Sequence, residues 1–229
     1  MALPAAPEDP LFYVVEIDLP EGGQTTFRDW YAHVHAPHLY EAGFTTCTSY
    51  QAARGRMDIV DVYQAPGWSI FESAAFARYR RLASADPHLP PFMAGIANIR
   101  TPYVAWPDSG LAAAEPLAAD WLTILRFDAD DGALAAVAAW LGAGGGEDLS
   151  ARSVVRTRLL TRTRPAPTGT SDRPAAALVL ESRRDPGAAL PNGAPPALTG
   201  AAGPHFTGSR LYPWPDDTAL RTEPSGRNR

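Results

Sequence analysis

The order of strand and helix signals is the feature of this sequence that most limits its possible folds. Segments of the first half alternate between the two-residue period of strands and the 3.6-residue period of helices. The predicted strands are 11–18, 44–51, 58–63 and 96–104, and the predicted helices are 25–36 and 69–85. The first half therefore has the order β-α-β-β-α-β.

Local signals predict where both helices of the first half begin and where the first one ends. Thr25 or Thr26 is the predicted N-cap of the first helix. Pro37 disfavours helical geometry at the residue before it, so this helix should end at Ala36. Ser69 and Glu72 have the spacing of a capping box and should begin the second helix.

The second half repeats this order in a weaker form. Strands are predicted at 121–127, 154–163, 175–182 and 206–212, a helix begins at Asp131, and a Pro/Gly/Ala-rich segment at 187–203 replaces the second helix. We therefore predict two tandem ferredoxin-like units, at 11–107 and 118–215, with flexible termini at 1–10 and 216–229. Because helices cover one face of each antiparallel sheet, the other faces should pack into an intramolecular α+β barrel.

Composition excludes several classes of function. The chain contains no lysine, so Schiff-base chemistry and pyridoxal phosphate attachment are ruled out. A net charge of −5 with scattered arginines argues against a nucleic-acid partner. We expect a cytoplasmic protein without a membrane partner, because no apolar run approaches the ~18 residues of a membrane span and Cys47 is the one cysteine.

One motif resembles a known family. The pattern Phe27-x-x-Trp30-Tyr31-x-x-x-His35-x-Pro37, followed by Gly43-Phe44 and a strand, resembles the EthD-like branch of the dimeric α+β barrel superfamily. The resemblance implies a cleft between sheet and helices, which members use for cyclisation, dehydration, isomerisation or oxygenation of aromatic substrates. The second half lacks this motif, so we expect the first unit to carry the active site and the second to replace a dimer partner.

Four residues are the candidate catalytic groups. Tyr31 and His35 lie four positions apart on one helical face, where an imidazole could move a proton and a phenol could stabilise an enolate. Asp61 interrupts an apolar strand and could orient His35 or pair with an arginine of the neighbouring turn. His88 stands in a proline-rich loop that could cover the cleft. The alternatives are a helix-capping role for His35 and simple solvent exposure for His88.

An aromatic lining suited to a flat substrate is also predicted, although each ring alone is more typical of a core. The candidate substrate-binding residues are Trp30, His38, Tyr50, Tyr63, Trp68, Phe76 and Phe92. We predict no cofactor and no metal. Haem held by one histidine and a metal on His35 and His38 are the alternatives, but a catalytic zinc needs three protein ligands.

These residues suggest three possible functions for a small-molecule partner. The first is a cofactor-independent lyase, such as a cyclase, dehydratase or isomerase, acting on a polyketide-like or aromatic compound in bacterial secondary metabolism. The second is a cofactor-free monooxygenase of a phenolic substrate. The third is a protein that binds a hydrophobic metabolite without turnover. The sequence leaves open whether the chain forms a homodimer.

Overall fold

A computed structural model describes residues 9–96, 98–106, 115–128, 130–162, 164–169, 171–187, 190–200 and 205–213. The strands are β1 (Leu11–Ile17), β2 (Thr46–Gly55), β3 (Ile59–Ala65), β4 (Asn98–Ala105), β5 (Trp121–Phe127), β6 (Val154–Thr161), β7 (Ala176–Ser182) and β8 (Phe206–Tyr212). The helices are α1 (Gln24–Trp30), α2 (Ala36–Glu41), α3 (Ala74–Ser84), α4 (Asp131–Trp140), α5 (Gly146–Ala151) and α6 (Pro196–Thr199). Most of the predicted flexible termini lie outside these residues.

The eight strands form one closed antiparallel barrel in the order β1-β3-β2-β8-β5-β7-β6-β4. Each half contributes four neighbouring strands in the same internal order, so the predicted pair of ferredoxin-like units and the α+β barrel are confirmed. The halves join edge to edge through β2–β8 and β4–β6. At the first seam Gly208 is required, because a Cβ atom there would lie 2.4 Å from the carbonyl oxygen of Gln51.

The first helical segment does not end where the sequence predicts. A π-helical turn, Tyr31–His35, joins α1 directly to α2, and Pro37 lies at the start of α2. In this wider turn the Ala36 amide donates to the carbonyl of Tyr31, five residues back. The extra residue makes room for the proline ring, so the prediction of an end at Ala36 is wrong. The predicted Thr25 or Thr26 cap is also wrong, since Gly23 holds that position.

The second helix of each half also differs in detail from the prediction. The stretch at 68–72 forms a 3₁₀ turn, and the cap of α3 is Ser73, whose hydroxyl accepts from the Phe76 amide. In the second half the Pro/Gly/Ala-rich segment keeps a single helical turn, α6. The helices within the described ranges are all too short or too polar to span a bilayer.

Two kinds of side chain fill the barrel. Apolar residues such as Phe12, Val62 and Leu122 occupy its middle. Buried ion pairs lie beside them: Glu16 is 2.7 Å from Arg173 and 3.1 Å from Arg126. The barrel is therefore a packed core, and the space available for a site lies on its outer face, under the helices.

Candidate functional site

The π-helical turn places three aromatic side chains of the first helical segment over β3. Trp30 and Tyr31 both contact His35, with the Trp30 and His35 rings stacked 4.5 Å apart. A π turn adds a residue to the helical repeat and so changes which side chains face the sheet. The pair predicted from four-residue spacing, Tyr31 and His35, is indeed brought together, with ring centroids 5.5 Å apart.

A chain of polar atoms runs from this helix into the sheet. The Tyr63 hydroxyl lies 3.3 Å from His35 Nε2 and donates a 3.0 Å hydrogen bond to Asp61 Oδ2. Both strand residues are fully buried on the helix-facing side of β3. Asp61 therefore reaches His35 through Tyr63, and not directly as the sequence suggested. The alternative partner Arg54 pairs with Asp185 instead.

Burial shifts the pKa values of the groups at the two ends of this chain in opposite directions. Loss of solvation raises the pKa of the Asp61 carboxyl from 3.8 to about 7, against smaller lowering effects from Ser49 and Tyr63. Loss of solvation lowers the pKa of the His35 imidazole from 6.5 to about 3, with smaller contributions from His38 and Arg100. The carboxyl, and not the imidazole, is therefore the group that titrates near neutral pH.

These two shifts give opposite pH dependences of stability. The stabilisation from Asp61 is complete below its unfolded pKa of 3.8 and is lost as the pH rises to about 7. The stabilisation from His35 is complete above its unfolded pKa of 6.5 and is lost as the pH falls to about 3. The two effects oppose each other over most of this window.

We expect single variants to show the two pH dependences of the free energy of unfolding separately. In His35→Gln the free energy of unfolding should fall between pH 3.8 and about 7, because the Asp61 effect remains alone. In Asp61→Asn it should rise between pH 3 and 6.5, because the His35 effect remains alone. Urea denaturation at a series of pH values measures both. Parallel profiles for the wild type and both variants would contradict the assigned shifts.

A groove of about 1200 Å³ lies outside this buried chain. Its walls come from α1, α2, the end of α3 and the proline-rich loop, and they include Trp30, Val34, Leu82 and Pro90. Three histidines also line it: His33, His38 and His88. Trp30 belongs both to the groove wall and to the stack on His35. Its indole therefore lies between the groove and His35, which is itself partly exposed.

A hydrogen bond holds Trp30 in this position. The indole Nε1 donates to Asp86 Oδ2 at 2.8 Å, and Asp86 Oδ1 accepts from the His88 amide at 2.8 Å. The carboxylate thus ties the wall residue to the loop that carries His88. This contact joins the predicted loop and helix into one boundary of the groove.

Removal of this contact should loosen the indole. In Asp86→Ala we expect hydrogen exchange of the Trp30 indole N–H to accelerate about 10- to 100-fold, because a bond to a charged acceptor contributes about 1.5–3 kcal/mol. Two-dimensional NMR of the six tryptophan indoles measures the rate. Asp29→Ala is the matched control, since Asp29 also lines the groove but pairs with Arg28. Equal exchange rates in the two variants would show that Asp86 does not hold Trp30.

The remaining predicted residues fall in different places. Trp68, Phe76 and Phe92 pack in the same hydrophobic core as Tyr31 and do not line the groove, so their role is to support the site structurally. His88 is exposed at the rim of the groove. Tyr50 is not brought to the site: it faces the barrel interior, where its hydroxyl donates to the Ala119 carbonyl. Strand alternation puts it on the opposite face of the sheet from Asp61 and Tyr63.

Sequence reasoning missed three contributors to the site. Tyr79 of α3 packs edge-on against the His35 ring, with centroids 6.1 Å apart. Ser49 of β2 is paired with Asp61 across the sheet, and Asp86 holds Trp30. Tyr79 lies at helical spacing from Ala75 and Leu82 in the sequence, and this spacing was the available signal. Ser49 and Asp86 are revealed only by strand register and tertiary contact.

A metal ion and a haem place different demands on the residues that hold them. Within the described ranges no cluster of three His, Cys, Asp or Glu side chains could hold a metal ion. A haem needs an axial ligand that faces a large apolar space. His35 is instead stacked on Trp30 and within 3.3 Å of the Tyr63 hydroxyl. In the second half, the cavity beside α5 is about 20 Å³, far below the roughly 300–1,000 Å³ of ligand pockets. A haem does not fit these two interior spaces.

Comparison with known proteins identifies the fold only. No protein-family model and no curated protein matches this sequence. Among solved structures, an anthrone oxidase-like protein shares 13% identity, with a TM-score of 0.54, over 89% of this chain and 91% of its own. A protein assigned as chlorite dismutase TA0507 shares 12% identity, with a TM-score of 0.50, over 89% and 95%. The fold is that of the dimeric α+β barrels. Its EthD-like branch remains a prediction.

The comparisons also correct the prediction of no cofactor. The matched structures include, besides the chlorite dismutase assignment, a heme-binding protein from Thermus thermophilus. The latter shares 11% identity, with a TM-score of 0.47, over 89% of this chain and 91% of its own. The prediction that this chain has no cofactor is therefore not upheld, and no chemical step below is assigned to a cofactor.

Proposed function

We propose that this chain is a small-molecule enzyme whose first half transfers protons on an aromatic or polyketide-like substrate. One observation carries the proposal: a buried carboxyl with a pKa of about 7, on Asp61, is connected through Tyr63 to a histidine at an aromatic wall. A general base is most effective when its pKa lies near the working pH. Perturbed carboxyls of this kind are typical of functional sites.

The geometry supports a relay in which the imidazole remains neutral. A substrate in the groove reaches His35 when Trp30 moves aside. His35 accepts the substrate proton on Nδ1 and releases one from Nε2 to the Tyr63 oxygen, and Tyr63 passes its own proton to Asp61. The carboxylate becomes a carboxylic acid, and the substrate carries the negative charge as an enolate. The reaction class is then dehydration, cyclisation or isomerisation, which is the lyase-type chemistry predicted from sequence.

Product mass tests this function. The purified protein is incubated with a panel of phenolic and polyketide-type compounds, as isolated and after addition of haem, and the products are analysed by mass spectrometry. Loss of water or an unchanged mass with altered retention supports the proposal. A variant that combines His35→Ala with Tyr31→Phe should lower turnover by about 10²-fold or more. His205→Ala, an exposed histidine at the start of β8, is the control.

Oxidation of the same kind of substrate is the second candidate. The anthrone oxidase-like neighbour, with a TM-score of 0.54, supports it. A product heavier by one oxygen atom would favour this function over proton transfer alone. Binding of the compounds without any product would instead identify a non-catalytic binding protein. Unchanged turnover in the double variant would exclude the relay in either enzyme.

A further inference from the structure

Three buried polar atoms on the helix-facing side of the first half have no hydrogen-bond partner among the described residues. They are Tyr31 Oη, Ser49 Oγ and Asp61 Oδ1. Their residues are 0%, 0% and 1% exposed. Buried polar groups in folded proteins are nearly always hydrogen-bonded, and each exception costs about 1–3 kcal/mol. Three exceptions in one region therefore require an explanation.

The three side chains belong to one location. Ser49 pairs directly with Asp61 across β2–β3 and with Tyr212 across β2–β8. The Tyr31 ring is 5.3 Å from the Tyr212 ring and stacks at 6.5 Å on the ring of Tyr63. The Tyr63 hydroxyl in turn bonds to the other oxygen of Asp61. Tyr31 thus covers the point where Ser49 and Asp61 face each other.

Electrostatic effects support this proximity. The charge on Asp61 raises the pKa of Tyr31, after burial itself. A hydrogen-bonding interaction with Ser49 lowers the pKa of Asp61. Neither Ser49 Oγ nor Asp61 Oδ1, however, has a partner at full hydrogen-bond geometry among the described residues. Polar groups that interact without a direct bond are commonly bridged by an atom between them. Cys47 and Ser49, the two helix-facing residues here on β2, both have small side chains.

We propose that Tyr31, Ser49 and Asp61 form a buried binding site for a single hydroxyl oxygen. When Asp61 is ionised its carboxylate only accepts hydrogen bonds, so the bound oxygen must then carry a hydrogen to donate to Asp61 Oδ1. Tyr31 and Ser49 can each donate to the lone pairs of the same oxygen. A hydroxyl or a water molecule has this combination of donor and acceptor capacity, whereas an ether or a ketone oxygen has no hydrogen to donate.

Two sources supply an oxygen of this kind. An internal water typically makes about three hydrogen bonds to buried groups, which matches the three atoms here. A phenolic hydroxyl would be the polar end of the substrate class given above, and this second source alone rests on the proposed function. In both cases the site fixes the position of a proton beside the carboxyl at the end of the His35–Tyr63–Asp61 chain.

Crystal structures of the whole protein, with and without phenol as a probe, test the site. We expect a resolved density peak within hydrogen-bonding distance of all three atoms in the phenol-free crystal, which identifies water. Displacement of that peak by the phenol oxygen identifies a site open to phenolic hydroxyls. A peak that is the same in both crystals restricts the site to water. The absence of a peak from both crystals overturns the proposal.

A pair of variants gives a second readout that does not depend on turnover. Ser49→Ala should remove or weaken the peak, because one donor to the bound oxygen is lost. It should also shift the NMR titration midpoint of Asp61 upward, because the Ser49 interaction that lowers the Asp61 pKa is lost. Thr48→Ala is the matched control: the neighbouring hydroxyl faces the barrel side and bonds to the Leu117 carbonyl. An unchanged peak and midpoint in Ser49→Ala also overturn the proposal. A protein that binds the oxygen but converts no substrate refutes only the proposed function.

Discussion

Replacing Asp61 with asparagine is expected to lower kcat by about 10²- to 10⁴-fold, the usual contribution of a general acid or base. Asparagine keeps the size of the side chain but cannot take up a proton, so the chain from His35 through Tyr63 ends on a group of fixed charge. The wild-type rate should rise with pH around a midpoint near 7, where the carboxyl ionises. The variant should lose this rise.

The pH profile distinguishes a catalytic role of Asp61 from a structural one. Asp128→Asn, which changes an exposed carboxylate after β5, is the matched control and should keep both the rate and the midpoint. Steady-state kinetics on the best compound of the panel, measured from pH 5 to 9, gives both quantities. A folded Asp61→Asn protein with the wild-type profile would remove Asp61 from the mechanism.

Glu16→Ala is expected to lower the free energy of unfolding by about 3 to 5 kcal/mol, the cost of leaving a buried charge without its partner. Glu16 is 2% exposed inside the barrel and accepts from Arg173 at 2.7 Å. Arg126 Nη2 lies 3.1 Å from the same carboxylate. Loss of Glu16 therefore leaves two guanidinium groups together in the core without the anion that stabilises them.

Urea denaturation of wild type and variant measures this difference. The matched control is Glu115→Ala, because Glu115 also pairs with an arginine, Arg156, but is half exposed. An exposed pair of this kind contributes about 0–1 kcal/mol, so the control should unfold close to the wild type. Similar small losses in both variants would show that water reaches the barrel interior and screens Glu16.

The sequence predicted the fold well because the strand and helix periods are local properties. The prediction was wrong at Pro37. There the helix continues through a π turn, although a residue before proline normally disfavours helical geometry. Asp61 and Tyr63 were brought to one face because they are two residues apart on one strand. Tyr50 was misplaced because the face of a strand with apolar residues on both sides depends on register, which the sequence does not state.

The electrostatic character of the site could not be predicted either. His35 was expected to move the proton, since an isolated imidazole titrates near neutrality. Its neutral state follows from burial under Trp30 and Tyr79, and both contacts need the folded chain. Likewise, a carboxylate at position 16 of β1 needs a partner, but Arg126 and Arg173 lie more than one hundred residues away in sequence.

The Glu16–Arg126 pair shows what a single continuous chain makes possible. Both residues are the sixth of seven in the first strand of their half, so they occupy equivalent positions in the two units. A barrel of two identical subunits would place the same residue at both positions, and like charges would meet across the symmetry axis. With both halves encoded separately in one polypeptide, each position can evolve alone. One half could acquire an anion and the other a cation, and the loss of symmetry itself became a source of stability.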